Sequence, residues 1–404
     1  MSSLANIAIP YGAYWSSPFS KWQGALSHLH SVEFAAVTAK RALALRRIDP
    51  NVIDFGVLGL TIPQKGAFYG LPWLMGQIGA GHVGGPTINQ ACATGVRSLF
   101  AAASEVSAGC AECALVVATD RTSNGPHIYY PSPRASGGTG SHENWVVDNF
   151  NCDPFTGRPM IDTAENVARR YGITTAEQHD VVLRRFDQYQ DALANGQAFQ
   201  KRYMELPFAV PDQKLVRTIA TLDGDEGIHQ TTASALARLK PVLDGGSVTF
   251  GGQTHPADGT AGMIVTTVDR AKELSADRST VVRLISFGLA RVEAAQMPEA
   301  PVPAARKALK LAGLDIHDMS AIKSHNPFAV NDIVFARAFG IDVLRMNNYG
   351  SSLIWGHPQA PTGVRGTIEL IEELVDIGGG YGLFQGCAAG DTAMAMVVKV
   401  EDGR

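Results

Sequence analysis

Ala39-Lys40-Arg41-Ala42-Leu43 returns late in the chain as Ala305-Arg306-Lys307-Ala308-Leu309, and each copy is followed at the same spacing by an aspartate, Asp49 and Asp315. Around the first copy, Val32 to Leu45 carries Phe34, Ala35, Val37, Ala42 and Leu43 on a helical period. It gives way at Ile48-Asp49-Pro50 to an apolar run, Phe55 to Leu60, that reads as a strand. Around the second, Ala304 to Leu311 reads as helix, Leu314-Asp315 as turn and Met319 to Lys323 as strand. A second echo closes each half: Thr260-Ala261-Gly262-Met263-Ile264-Val265 answers Thr392-Ala393-Met394-Ala395-Met396-Val397, each preceded by Gly and Asp and each read as a buried strand. Two echoes in the same order point to an internal duplication, which sets the fold class.

The spacing also locates an insertion. Ala42 and Ala261 are 219 residues apart, Ala308 and Ala393 are 85 apart, and so the first half carries 134 more residues. The excess falls between Asp120 and about Gly246, where the chain turns polar and rich in Gly and Pro, as in Pro131-Ser132-Pro133-Arg134-Ala135-Ser136-Gly137-Gly138-Thr139-Gly140. Helices follow from Asp162 to Tyr171 and from Thr175 to Asn195. Thr174 or Thr175 is placed to cap the second, with Glu177 and Gln178 in its first turn. A stretch of this length with its own helices is expected to be a functional subdomain lying over the core that the two halves build.

Composition narrows the function. The chain has 404 residues, 45% hydrophobic and 18% charged, with a formal charge of −4. It can bury a large core and carries no basic excess for nucleic acid or an anionic membrane. The N-terminus has no basic, apolar leader, no 18-residue apolar window appears later, and the last residues are not a peroxisomal tripeptide. Five cysteines, an odd number, are expected as free thiols in a reducing compartment, with cytoplasm as the default.

One of them, Cys92, sits in Asn89-Gln90-Ala91-Cys92-Ala93-Thr94-Gly95-Val96, at the entry of a helix built of small residues that would let other backbone come close. A thiol in a first helical turn meets unpaired N–H groups and the positive end of the dipole, so its pKa is expected to fall. Taken alone, an intracellular cysteine is more often inert packing. Two distant segments change that reading. Gly356-His357-Pro358 holds an imidazole in a rigid turn, and Tyr381-Gly382 to Cys387-Ala388-Ala389-Gly390 places a second cysteine at a turn before the closing strand. Cys110-Ala111-Glu112-Cys113 has no second CxxC partner and reads as packing, so no metal is expected. Gly137 to Gly140 lacks the lysine of a phosphate loop.

These segments resemble the three signature regions of the thiolase family: Asn89-x-x-Cys92-x-x-Gly95, Gly356-His357-Pro358 with Thr362-Gly363, and Tyr381-Gly382 with Cys387. Thr163 to Ala168 with Glu177-Gln178, Leu239-Lys240-Pro241, and Val248 to Gly259 resemble the family's loop domain and the segment after it. The resemblance runs from about Ile7 to Val400. It implies an α/β thiolase fold, with duplicated βαβαβαββ halves in a five-layered α/β/α/β/α core and an inserted loop domain. The corresponding division is 1–120 with 247–270 as the N-terminal half, 121–246 as the loop domain covering the CoA and acyl site, and 271–404 as the C-terminal half.

It further implies CoA-dependent thiolytic cleavage of a 3-oxoacyl-CoA, or the reverse Claisen condensation. Cys92 would be the nucleophile, His357 its base and Cys387 the acid/base. Oxyanion holes would use the N–H of Cys92 and Ala389, and His357 with His325. Thr254, Phe328 and Met160 would contact substrate, and His142, Trp145 and Phe155 are further candidates for shaping the acyl pocket. Lys214 and Arg217 could meet a CoA phosphate or simply be solvated. No covalently bound cofactor is implied, only acyl-CoA and CoA as substrates, with a homodimer or homotetramer. Some relatives with histidine at the position of His325 also work beside a small zinc-bearing OB-fold subunit, so the resemblance allows such a partner here without requiring it.

Departures from the family pattern cluster around the acyl site. Ser324-His325-Asn326-Pro327-Phe328 stands where many thiolases have Asn-Glu-x-Phe; His325 sides with the sterol-carrier type, while Asn326 and Pro327 fit neither. Gln359-Ala360-Pro361 and Ala388-Ala389-Gly390-Asp391 replace glycine-richer runs, and Thr94 and Thr254 stand where serine is commoner. The altered shape points to a branched, aromatic or carboxylated acyl group. Competing readings are a ketoacyl synthase, which lacks the terminal cysteine, and a non-catalytic acyl-CoA-binding subunit, against which the retained Cys92, His357 and Cys387 argue.

Overall fold

The computed structural model describes residues 4–403. The extreme termini, Met1–Ser3 and Arg404, on which part of the leader and tripeptide reading rests, lie outside the described residues. The main strands are β1 Ile7–Pro10, β2 Tyr14–Ser16, β3 Phe55–Gly59, β4 Cys113–Arg121, β5 Ala257–Thr267, β6 Val281–Arg291, β7 Met319–His325, β8 Gly380–Ala388 and β9 Thr392–Glu401. The main helices are α1 Ser31–Leu45, α2 Gly70–Ile78, α3 Thr94–Ser107, α4 Met160–Tyr171, α5 Thr175–Gln197, α6 Pro301–Ala312, α7 Ala329–Phe339 and α8 Gln359–Asp376. Among the described residues no helix is long and apolar enough to cross a membrane.

The duplication is visible in the strand pairing. β3 runs parallel to β4, β4 antiparallel to β5, and β5 antiparallel to β2; in the same way β7 is parallel to β8, β8 antiparallel to β9, and β9 antiparallel to β6. The short strand β1 pairs with both β5 and β6, so the two halves join edge to edge. The echoed helices α1 and α6 bury Ala39, Ala42 and Leu43 in one and Ala305, Ala308 and Leu309 in the other, with the cations between them turned to solvent. Val37, on the same apolar period, is instead 41% exposed. The echoed aspartates do the same local work: Asp49 caps the turn Pro50–Val52 and Asp315 caps Ile316–Asp318.

Helices α1 and α2 cover the outer face of the first half, and α6 and α7 that of the second. Between the sheets lie α3 and α8, α3 touching β3, β4, β5 and β9, and α8 touching β4, β5, β7 and β8. A helix with sheet on both sides has no polar face to spare, and every residue of α8 from Gln359 to Val375 is buried. Between β4 and β5, residues 122–256 carry α4, α5 and two short hairpins. Thr174 is the cap of α5, with a full capping box to Glu177.

Where α3 crosses α8 the backbones nearly touch. A Cβ at Gly95 would lie 2.6 Å from the Ala360 carbonyl and 2.8 Å from the Val364 nitrogen. We predict that Gly95→Ala forces the two helices apart and lowers stability by about 1–3 kcal/mol, read as a lower urea midpoint.

Candidate active site

Cys92 stands just before α3, which begins at Thr94. Ala91 takes a left-handed backbone, φ +45°, a strained conformation for a residue with a Cβ. Side chains on either side brace it. Asn89 Oδ1 accepts the Ala91 N–H at 2.9 Å, and Thr94 Oγ1 accepts the Gln90 N–H at 2.8 Å while donating to the Ala91 carbonyl at 2.6 Å. The turn aims the sulfur toward the C-terminal half, where the Ala389 N–H, with that of Cys92 itself, faces it.

The expectation of a lowered thiol pKa is corrected by the structure. Burial pushes the Cys92 thiol up to about 11, outweighing those two N–H groups. The cysteine precedes the helix instead of lying in its first turn, so the dipole acts on it less. A resting thiol therefore needs a base.

Two imidazoles supply candidates. His357 follows Gly356, whose φ of +90° suits glycine, and its Nδ1 lies 2.7 Å from Thr362 Oγ1. That hydroxyl donates its single proton to the Pro358 carbonyl at 2.8 Å. It can therefore only accept from Nδ1–H, which leaves Nε2 as a bare lone pair. His325, at the end of β7, has Nδ1 2.8 Å from Ser352 Oγ. The rings stack with centroids 4.0 Å apart and planes at 26°, and both Nε2 atoms are buried without a partner. Cys92 Sγ and one nitrogen of each ring lie within 4.8 Å of one another. Burial holds both rings neutral, His325 down to about 3 and His357 well below its usual range, with the neighbouring His325 and His255 adding to the latter.

Cys387 lies within β8, not on the turn after it, and is fully buried. Asn331 Nδ2 donates to its sulfur at 3.2 Å, while burial, reinforced by Cys92, raises its pKa well above the usual thiol value. Phe328 is buried in the same apolar cluster as Cys387 and Leu353. Thr254 is turned inward: its N–H reaches the Pro327 carbonyl at 2.7 Å and its hydroxyl donates to the Ser352 carbonyl, so it braces the His325 segment.

A cavity of about 320 Å³ opens beside Ala91 and Ala389, the residues flanking the sulfur. Ile62, Trp145, Val146, Phe150 and Met160 give it an apolar wall. Asn89, Asn149, Asp153 and Gln359 supply polar groups, and none of its lining residues is Lys or Arg. Of the three loop candidates only Trp145 lines it. His142 sits on an exposed strand, and Phe155 is 75% exposed under Arg291. Arg217 pairs with Asp212 at 3.4 Å beside a separate groove between α1 and the Phe208–Leu222 hairpin. Cys113 is buried in β4 and Cys110 is exposed.

Sequence reasoning passed over several residues that hold this geometry. Asp120, at the end of β4, accepts from Thr61 N, Thr61 Oγ1, Ile62 N and Ala360 N at 2.7–2.9 Å. It thereby caps α8 from the other half of the molecule. A charge closing an otherwise apolar strand was the available signal. Thr362 stood in a quoted motif without a role, and Ser352 and Asn331 carried no local signal.

A thiol on a strained turn, backbone N–H groups aimed at it, and a neutral imidazole with a free lone pair define an acyl-transferring thiol enzyme. The sequence matches the thiolase N-terminal domain over residues 14–269 and the thiolase C-terminal domain over residues 278–400. The chain belongs to the thiolase family and is an acyltransferase. It is 27% identical to beta-ketothiolase BktB of Cupriavidus necator, covering 93% of this chain and 95% of that protein. It is 30% identical to a probable acetyl-CoA acyltransferase of Staphylococcus epidermidis, covering 91% and 95%. The crystal structure of human mitochondrial 3-ketoacyl-CoA thiolase superposes with a TM-score of 0.89 at 25% identity, covering 98% of this chain and all of that one.

Two outcomes are expected of the site. With its thiol pKa raised, Cys92 should be alkylated by iodoacetamide at a rate that climbs about tenfold per pH unit from pH 7 to 9; a plateau near neutrality would reveal a preformed thiolate. Thr362→Val keeps the side-chain shape but frees the His357 ring, and turnover should fall by about ten- to a hundredfold, measured as kcat on a cleaved 3-oxoacyl-CoA.

Proposed function

We propose that this thiolase cleaves a 3-oxoacyl-CoA carrying a branched or aromatic acyl group, or forms it by the reverse condensation, through a thioester on Cys92. The observation that carries the reading is the convergence of Cys92, His357 and His325 beside the Ala389 N–H. His357 Nε2 takes the thiol proton as Sγ attacks the 3-oxo carbon. The developing oxyanion is met by backbone N–H, and the bond between C2 and C3 breaks. The departing acetyl-CoA carbanion takes a proton from Cys387. Incoming CoA then gives its thiol proton to Cys387 and attacks the thioester, and Cys92 recovers its proton from His357.

The cavity supports the choice of acyl group. Trp145, Phe150 and Met160 offer wide apolar contact, while Asp153 and the absence of a lining cation disfavour a carboxylated chain. The chain acts in the cytoplasm as at least a dimer.

The test is a panel of 3-oxoacyl-CoAs with free CoA, with Cys92→Ala as control. Branched or aryl substrates should give the highest kcat/KM, and the acyl group should appear as a mass increment lost in Cys92→Ala. Best turnover of acetoacetyl-CoA would overturn the acyl assignment, and an active Cys92→Ala would overturn the mechanism.

A further inference from the structure

We infer, resting on the proposed seating of the acyl group in the cavity beside Cys92, that Gln359 is a specificity-determining residue. Its amide recognises a hydroxyl group on the acyl chain, and the preferred substrates are 3-oxoacyl-CoAs hydroxylated on that chain.

Gln359 opens α8, two residues after His357, and lines that cavity. It is 8% exposed, and its amide has no hydrogen-bond partner among the described residues. Other polar side chains of the cavity are committed to the protein. Thr61 Oγ1 donates to Asp120 at 2.7 Å and Trp145 Nε1 to the Thr61 carbonyl at 3.0 Å, while the Asp153 oxygens accept from Phe155 N at 2.9 Å and Thr156 Oγ1 at 3.1 Å. An amide left without partners beside Trp145, Phe150 and Met160 costs free energy once a hydrocarbon chain displaces the water around it. A ligand group that pairs with the amide removes that cost, and a ligand lacking the group is rejected.

The neighbouring amides indicate which group fits. Asn89 spends its oxygen on the Ala91 N–H and keeps its donors, whereas Asn149 spends its nitrogen on Glu143 and the Trp145 carbonyl and keeps its oxygen. With Gln359 the cavity therefore offers both donors and acceptors, and no lining cation. A hydroxyl donates and accepts, whereas a carboxylate or ketone only accepts and an ammonium only donates. The amide is also rigidly carried. Pro358 precedes it, the N–H of the next residue, Ala360, is held by Asp120 at 2.7 Å, and Thr362 ties the Pro358 carbonyl to the His357 ring. A hydroxyl paired with Gln359 is thereby registered against the base that acts on Cys92.

The experiment measures kcat/KM of the full-length enzyme, with free CoA, on two matched sets: benzoylacetyl-CoA with its meta- and para-hydroxy counterparts, and 3-oxohexanoyl-CoA with its terminally hydroxylated counterpart. Within at least one set a hydroxylated member should lead by about ten- to a hundredfold, the aryl set for a phenolic hydroxyl and the alkyl set for an alcoholic one. Gln359→Met, which keeps the side-chain length and loses the amide, should bring that ratio close to unity. A ratio taken within one preparation does not depend on how much of the variant is folded, and a merely structural glutamine would lower all members alike. No lead in either set, or a lead kept in Gln359→Met, overturns the proposal. A lead that vanishes in Gln359→Met while acetoacetyl-CoA is turned over best leaves Gln359 its role and overturns the branched or aromatic acyl assignment. Branched or aryl substrates that excel without any lead for the hydroxylated member do the reverse. Where no substrate is turned over, equilibrium binding of the same sets to Cys92→Ala decides: tighter binding of a hydroxylated member, lost when Gln359→Met is added, is expected, and equal affinities overturn the assignment.

Discussion

Arg365 on the central helix α8 and Asp225 from the insertion meet as a two-toothed ion pair, at 2.6 and 2.8 Å, with neither side chain exposed. The guanidinium also reaches Glu369 at 3.0 Å and lies over the rings of Trp355 and Phe19, 4.4 and 4.7 Å from their centroids. Asp225 further accepts the Phe19 N–H at 2.8 Å and the Tyr189 hydroxyl at 3.1 Å. One carboxylate thus joins the first segment of the chain, helix α5 of the insertion and the helix just after His357. Two charges taken out of water gain little net stability, yet removing either one would cost about 3–5 kcal/mol by stranding the other. The pair acts as a lock on position more than as a source of stability.

Its effect is to position the start of α8. The helix is held at its first turn by Asp120 from the N-terminal half and one turn further on by Arg365. It carries Gly363 against Val96 of α3 and Gly366 against Phe384 of β8, so the neighbouring central helix and a strand of the C-terminal half both approach it closely. His357 comes one residue before the cap of such a helix. Its ring therefore answers to both halves and to the insertion, which explains how residues far apart in sequence keep an imidazole and a thiol in register.

Much of this was legible in the sequence. The Ala-Ala-Leu echo, the paired aspartates and the two closing strands revealed the duplication, because buried faces and caps demand the same residue types wherever they recur. The capping box at Thr174 was readable for the same reason. The electrostatics of Cys92 were not: a dipole argument sees the helix start, whereas the pKa is decided by how much protein surrounds the sulfur. Nor could spacing reveal that the Thr254 hydroxyl turns inward, or that Ser352 and Thr362 stand behind the two rings. Those pairings join segments separated by sheets and have no local period.

The departures from the family pattern around His325 become intelligible as one set. Asn326 Nδ2 donates to Asp332 at 2.7 Å, which fixes its amide so that Oδ1 accepts from Leu353 N and Ser352 Oγ. Asp332 is itself held by Ser324 at 2.6 Å, Asn347 at 3.1 Å and the buried Arg185 at 3.0 Å. Ser352, in turn, sits against His325 Nδ1. Asn326 and Ser352 are therefore the parts that let a histidine stand at 325 with its far nitrogen free. A network this buried is costly unless every member is satisfied. A binding subunit without turnover would have no use for the arrangement, since plain apolar packing could fill the same space. The unusual residues thus form a satisfied network around His325, which argues against decay of the site.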